Sequence, residues 1–346
     1  MTHRDAYAQF CHDAPDLPLF MQPWYLDAVC EGGHWEVALL EKGGRVVAAW
    51  PYFLKKKGWW RYVAMPQLAR MMGPYLLPEW RIPRKEMSIL TDLLNQLPPG
   101  LAAFEQDFNY TAQNWLPLYW RGFRQTTRYS YVLSVNDLDA VWNNIAPDYR
   151  NQKIPKAHEL VEVQKGGALD SFLETHDLSY ERKGLEPSVT HTFLRRLDDA
   201  LAQRGQREIF FATDRHTGAV HSVAYLVWDA HSAYYLMAGD NPALRHSGAG
   251  ILLTWEAIRH TNEVLKLPTF DFVGSMIRPI ERVRRQFGAV QKPYFRVQKE
   301  WSPAWKLGKM LWREKIFFIT FCEYNPPQHL FFVPPFFFTQ KLPFFL

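Results

Sequence analysis

The chain has only three cysteines in 346 residues, and Cys11, Cys30 and Cys322 stand far apart. Three thiols cannot build a disulfide framework, and no CxxC or Cys/His pair has zinc-ligand spacing, so neither an oxidising compartment nor a metal centre is expected. Long apolar runs are also missing. None approaches the ~20 residues that a membrane-spanning helix needs. The opening MTHRDAYAQFCHDAPD has no apolar stretch of the signal-peptide kind. The expectation is a cytoplasmic protein. Charge of one sign is nearly absent too: 40 Lys and Arg against 35 Asp and Glu leave +5, too little to mark a nucleic-acid binder by itself. No GKS or GKT occurs, which excludes a P-loop.

What remains is a chain well able to fold. Apolar residues are 47% and charged residues 22%, and the length fits two ordinary domains. Aromatic residues are the outlier, with 14 Trp, 16 Tyr and 24 Phe. Part of the excess is a tail: residues 316–346 hold ten Phe and five Pro, and residues 301–346 carry five Lys or Arg against two Asp or Glu. The prolines prevent one continuous helix. Trp301, Trp305, Lys306, Lys309, Trp312, Arg313 and Lys315 precede the Phe-rich part, a mixture suited to peripheral contact with a membrane. Packing across the first domain and an unselected end are the competing readings. A second basic–aromatic cluster, Lys55-Lys-Lys57 with Trp59, Trp60 and Arg61, reads first as a solvated hairpin end.

Periodicity divides the chain into two similar units. Trp35–Leu40 and Arg45–Phe53 flank Glu41-Lys-Gly-Gly44, a hairpin signal, which the Lys55–Arg61 segment then interrupts. Glu86–Leu97 is amphipathic and stops at Pro98-Pro99-Gly100. The second unit has strands at Glu208–Thr213, Ala219–Asp229 and Ala233–Ala238, a helix from about Gly248 to Val264, a strand at Thr269–Val273, a helix at Ile277–Phe287 and a strand at Tyr294–Val297. The related hairpins Trp35–Phe53 and Glu208–Asp229 suggest a duplicated domain.

The stretch Tyr234–Gly274 carries the chemistry: strand, Gly-rich loop, helix, strand. Arg245-His-Ser-Gly248-Ala-Gly250 opens the helix. Its glycines leave the amides of the first turn uncovered, and those N–H groups with the helix dipole suit a pyrophosphate. Asp240, past the preceding strand, is a candidate base for an amine proton or an ordinary turn residue. His221 and Tyr225 share a strand face and are candidate catalytic groups, although a core or surface role is the default. Asp271 lies among Phe and Val and needs partners. A structural hydrogen bond is its first reading and substrate binding its second. Ser275 is an N-cap or a ligand donor.

Arg245-x-x-Gly248-x-Gly250 resembles the acyl-CoA loop of the GNAT acyltransferases. The wider pattern is similar to the tandem-GNAT branch, which holds the Fem-type peptidyltransferases and an acetyltransferase domain of cell-envelope and exopolysaccharide loci. Phe20-Met-Gln-Pro-Trp24, Tyr149–Ala157, Phe270-Asp-Phe-Val-Gly-Ser275 and Ile280–Gly288 carry the rest of the likeness, over about residues 20–300. The resemblance implies an α+β fold of two GNAT-like domains, 1–125 and 126–300, each a mixed central sheet flanked by helices, with a cleft between them and 301–346 as a tail. It implies acyl transfer to an amine, without a metal. Acyl-CoA would be held by Met237, Gly239, Arg245, His246, Ser247, Gly248, Ala249 and Gly250, in a gap between two splayed parallel strands. The acceptor would be a small molecule or a cell-envelope precursor, met by Asp271, Ser275 and Arg284. Fem-type enzymes place a Lys where this chain has Arg284, so the charge is kept without the compact ammonium. Near-neutral charge over the first 300 residues favours acyl-CoA over aminoacyl-tRNA, leaving a Fem-type transfer to a peptidoglycan precursor as the alternative. A GNAT-fold binding module without catalysis is the reading from another class.

Overall fold

Gly43 and Gly44 adopt positive φ angles of 62° and 78°, and this turn folds β1 (Gly33–Lys42) back onto β2 (Arg45–Lys57). The computed structural model describes residues 2–308, except 15, 182, 183, 185, 188, 275 and 307. β2 does not stop at the lysines. Gly58, with φ +58°, turns it directly into β3 (Trp60–Ala64), so Lys55–Arg61 is a second hairpin rather than an interruption. Then follow β4 (Tyr75–Leu76), β5 (Leu101–Asp107), β6 (Arg124–Ser134), β7 (Val161–Lys165), β8 (Arg207–Asp214), β9 (Val220–Trp228), β10 (Ser232–Asp240), β11 (Thr269–Asp271) and β12 (Val290–Glu300). The helices are α1 (His3–Asp13), α2 (Pro23–Val29), α3 (Pro83–Asn95), α4 (Leu116–Trp120), α5 (Leu138–Asn144), α6 (Ile154–Leu160), α7 (Leu169–Glu181), α8 (His191–Ala202), α9 (Ala249–Glu263) and α10 (Arg278–Gln286). A π-helical turn, Tyr149–Lys153, leads into α6.

Among the described residues, the twelve strands form one mixed sheet in the order β1-β2-β3-β5-β12-β6-β11-β10-β9-β8-β7, with β4 paired to β2. The order reads alike from both sides. β1, β2 and β3 are antiparallel, β3 pairs parallel with β5, and β5 meets β12 antiparallel. From the other side β8, β9 and β10 are antiparallel, β10 pairs parallel with β11, and β11 meets β6 antiparallel. β12 and β6 join the halves. The division between 125 and 126 falls at the start of β6. This α+β arrangement of two like halves matches the duplication read from the sequence.

Burial follows the alternation of side chains across the strands. On one face a single apolar cluster runs through both halves, from Tyr7, Phe20 and Tyr75 to Phe172, Phe193 and Tyr225. The other face carries two clusters, one under α9 with Leu252, Ile258 and Phe270, the other under α3 with Trp50, Leu93 and Phe104. The shared cluster holds the halves together on one side. The parallel pair of the second half therefore lies near the centre of the molecule, within reach of loops from the first half.

Candidate active site

β10 and β11 begin as partners and then separate. Ser232, Ala233 and Tyr234 pair with Thr269, Phe270 and Asp271, and pairing stops there. Two local features cause the divergence. On β10, Tyr235 faces Leu226 and Met237 faces Tyr225, so Leu236 is an extra residue, a bulge that bends the strand. On β11, Asp271 Oδ1 accepts the Val273 N–H at 2.7 Å, which turns the backbone out of the ladder. Val273 takes φ +54° and Gly274 φ +79°. A β-branched residue in the left-handed region is strained. β11 thus ends two residues before the sequence suggests, while β10 runs on to Asp240.

Asp271 anchors this turn. It is buried, and Tyr110 donates to its Oδ2 at 2.6 Å while Ser130 donates to Oδ1 at 2.5 Å. Ser130 Oγ also accepts the Gly274 N–H at 2.8 Å. Burial holds the Asp271 carboxyl above the usual carboxylate range, against the pull of these donors. With its oxygens so engaged, the structural role is the one the geometry supports. Ser275 lies outside the described residues.

Arg284 approaches from α10, with its guanidinium 5.8 Å from the Phe272 ring centre. Its Nη1 is buried without a hydrogen-bond partner. Burial pulls its pKa down to about 10, with Asp271 opposing and the like charge of Arg70 assisting. It stays protonated at neutral pH. Arg70, from the loop before β4, also has a buried Nε without a partner. Guanidinium N–H groups left without acceptors have the chemistry to receive a phosphate or carboxylate. Arg70, Tyr110 and Ser130 escaped the sequence reading, because nothing local to them marks their position beside residues more than 140 positions away.

The loop after β10 forms as read. Gly248 takes φ +78° as the N-cap of α9. A Cβ there would meet Lys153 O at 3.3 Å, and one at Gly250 would meet Asp240 Oδ1 at 2.5 Å. Both glycines thus allow close packing of α9, on the π-helical turn and on the end of β10. The amides are less bare than the spacing suggests. Ala249 N–H donates to the buried Ser247 Oγ at 3.2 Å, and Ile251 N–H to Gly248 O at 3.0 Å. Asp240 Oδ1 accepts from Ser222 Oγ at 2.8 Å, and Oδ2 from Arg245 Nε at 3.3 Å. His246 lies exposed beside them. Between the π-helical turn and α10, Lys153, Arg278 and Arg282 line a cavity of about 570 Å³ with Tyr149 and Asp148.

The candidate residues do not form one group. Asp240 lies opposite Ser222, on the α9 side of the sheet, whereas Tyr225 points with Val223 toward the shared core, and His221 is the extra residue of a bulge between Val220 and Ser222, so it does not share the Tyr225 face by simple alternation. Tyr225 OH donates to Asp198 Oδ1 at 2.5 Å, and Asp198 pairs with Arg207 at 3.0 Å. His221 Nε2 lies 3.2 Å from Asp214 Oδ2. Met237 packs against the shared core, and Gly239 admits α7, since a Cβ there would stand 2.6 Å from His176 Cα.

Residues 150–289 match the family described as acetyltransferase (GNAT) domain. No curated protein matches the chain. Among solved structures, FemX superposes with a TM-score of 0.66 at 13% identity, over 85% of this chain and 96% of that one. A tandem GNAT protein from the clavulanic acid biosynthesis pathway gives 0.53 at 13% identity, over 87% and 94%. The C-terminal domain of a putative lysylphosphatidylglycerol synthetase from Agrobacterium fabrum gives 0.54 at 12%, over 91% and 98%. Residues 150–289 thus match the acetyltransferase (GNAT) domain family, and the chain as a whole shares its fold with FemX and the tandem GNAT protein.

Proposed function

We propose that the chain transfers an acyl group from acyl-CoA to the amine of a small-molecule or cell-envelope acceptor. The separation of β10 and β11 beyond Tyr234 and Asp271 carries this reading. A thioester laid in that gap would offer its carbonyl to a β10 amide in the stretch Met237–Gly239, and a fixed donor there stabilises the tetrahedral oxyanion. The amine must lose a proton to attack and keep the new bond. Asp240, half-buried at the end of β10, is the candidate acceptor of that proton. Arg284 and Arg70 would hold a phosphate or carboxylate of the substrates through their unpartnered N–H groups. The cations around the cavity between the π-helical turn and α10 suit a phosphorylated donor.

One observation favours a second donor. Arg245 is already paired with Asp240, whose carboxylate lies against Gly250. An internal anion at that place competes with a pyrophosphate. An aminoacyl-tRNA donor, with a peptidoglycan precursor as acceptor, needs no pyrophosphate at the loop.

Acetyl-CoA and aminoacyl-tRNA, each incubated with the chain and a panel of amines, separate the two by intact-product mass spectrometry. The first reading expects acylated amine from acetyl-CoA. Transfer from aminoacyl-tRNA alone selects the second. Binding of either donor without transfer would leave a binding module and contradict both.

A further inference from the structure

The exposed tryptophans of the described residues, Trp59, Trp120 and Trp301, are 81%, 65% and 42% accessible. They are far apart in sequence, yet the sheet brings them to one end. Trp59 tips the β2–β3 hairpin, and the start of β3 pairs with the start of β5 through Arg61 and Leu101. β5 meets the end of β12 through Ala103 and Glu300, and Trp301 N–H donates to Ala102 O at 2.9 Å. The end of β12 meets the start of β6 through Gln298 and Arg124, just after α4 and Trp120. Ring contacts brace the surface: Trp60 to Trp305 at 5.8 Å, Tyr62 to Trp305 at 4.6 Å, and Phe123 to Trp301 at 5.6 Å.

Cations are interleaved with these rings. Lys56, Lys57, Arg61, Arg121 and Arg124 are all exposed at the same strand ends, with Lys306 one residue after Trp305. No carboxylate occurs between Phe53 and Ala64. Lys299 Nζ lies 4.9 Å from the Trp301 ring centre. Exposed indoles among lysines and arginines match the boundary between lipid headgroups and acyl chains, where an indole buries its ring and keeps its N–H hydrated. Among the described residues no helix is long and apolar enough to cross a membrane, so contact here would be made on the surface. Trp305, close to the last of the described residues, belongs to this end. Residues 316–346 hold eleven aromatic residues against one Lys and one Glu, a composition that favours an apolar boundary over a chain of phosphates.

We propose that this end of the sheet docks on an anionic phospholipid bilayer, with Trp59 and Trp120 entering the headgroup layer and the lysines of the hairpin facing lipid phosphates. The inference stands apart from the transferase reading, since none of these residues lies at the gap between β10 and β11. RNA is the competing occupant, because aromatic–basic surfaces also stack bases.

The test is co-sedimentation of the full chain with vesicles of phosphatidylcholine alone and of phosphatidylcholine with phosphatidylglycerol. Single-stranded RNA is titrated in parallel. The proposal expects sedimentation with the anionic vesicles that weakens with salt. Each lysine near an anionic surface contributes about fivefold, so Lys56→Gln with Lys57→Gln binds about 25-fold more weakly. Trp59→Ala with Trp120→Ala loses binding even at low salt. These side chains are exposed, and unchanged thermal melting verifies that the variants fold. Sedimentation equal in the variants and the parent overturns the proposal, as does RNA binding without vesicle binding.

Discussion

The hydroxyl of Tyr110 donates to Asp271 Oδ2 at 2.6 Å, tying the loop after β5 to the last paired residue of β11. That bond joins the first half of the chain to the turn that opens the gap. Tyr110→Phe keeps the ring and leaves a buried carboxylate oxygen without its donor, which costs about 1–3 kcal/mol of unfolding free energy. Urea unfolding measures the loss.

Asp271 also sets a pH dependence. Burial raises its carboxyl above the usual range, so the folded chain binds that proton more tightly than the unfolded chain. Its contribution is complete below the unfolded pKa and is lost as pH rises through the folded one. Asp271→Asn does not titrate. The stability of the parent minus that of the variant must therefore fall as pH rises over this window. A difference that grows with pH contradicts burial as the dominant cause.

Gly250 and Asp240 are coupled through one close approach. Gly250→Ala places a methyl 2.5 Å from Asp240 Oδ1, and overpacking of this kind costs about 1–3 kcal/mol. Asp240→Ala removes the obstructing oxygen. The double variant should then be more stable than the two single losses added together, by at least about 0.5 kcal/mol in a thermodynamic cycle. Simple additivity would mean that the helix start does not press on the carboxylate.

Tyr225 separates structure from catalysis. Its hydroxyl faces Asp198 in the shared core, across the sheet from Asp240. Tyr225→Phe should lose about 1–2 kcal/mol of stability and leave kcat unchanged. A large fall in kcat with unchanged melting would return Tyr225 to the reaction.

Arg284 should behave in the opposite way. Its guanidinium is charged at neutral pH with a buried N–H unsatisfied. Replacing a buried, poorly paired charge by an apolar side chain of like size stabilises folds by about 1–4 kcal/mol. Arg284→Met should raise the melting temperature and abolish transfer, and Arg284→Lys should restore part of the transfer.

The sequence makes local devices legible and distant partners illegible. The Gly43-Gly44 hairpin and the 245–250 loop follow from short-range rules about glycine. The end of β11 does not: Phe270-Asp-Phe-Val reads as continuous strand, but the Asp271 side chain competes for the Val273 amide. α1 is not legible in the sequence, because its few buried apolar residues, Tyr7, Phe10 and Cys11, are spread through a polar segment that a Thr2–Asp5 capping box starts. The first turn of α9 is less bare than its glycines suggest, since Ser247 Oγ accepts the Ala249 N–H. Tyr110, Ser130 and Arg70 come to the site only through strand order. No pattern in a single sequence records which strands become neighbours.

Hydrogen exchange of the peptide Tyr235–Asp240, with and without a saturating acyl donor, tests the central claim most directly. The account predicts slowed exchange there and over Gly248–Leu252, with none in β7 or β8. A donor that binds the chain and leaves Tyr235–Asp240 exchanging at its free rate would contradict it.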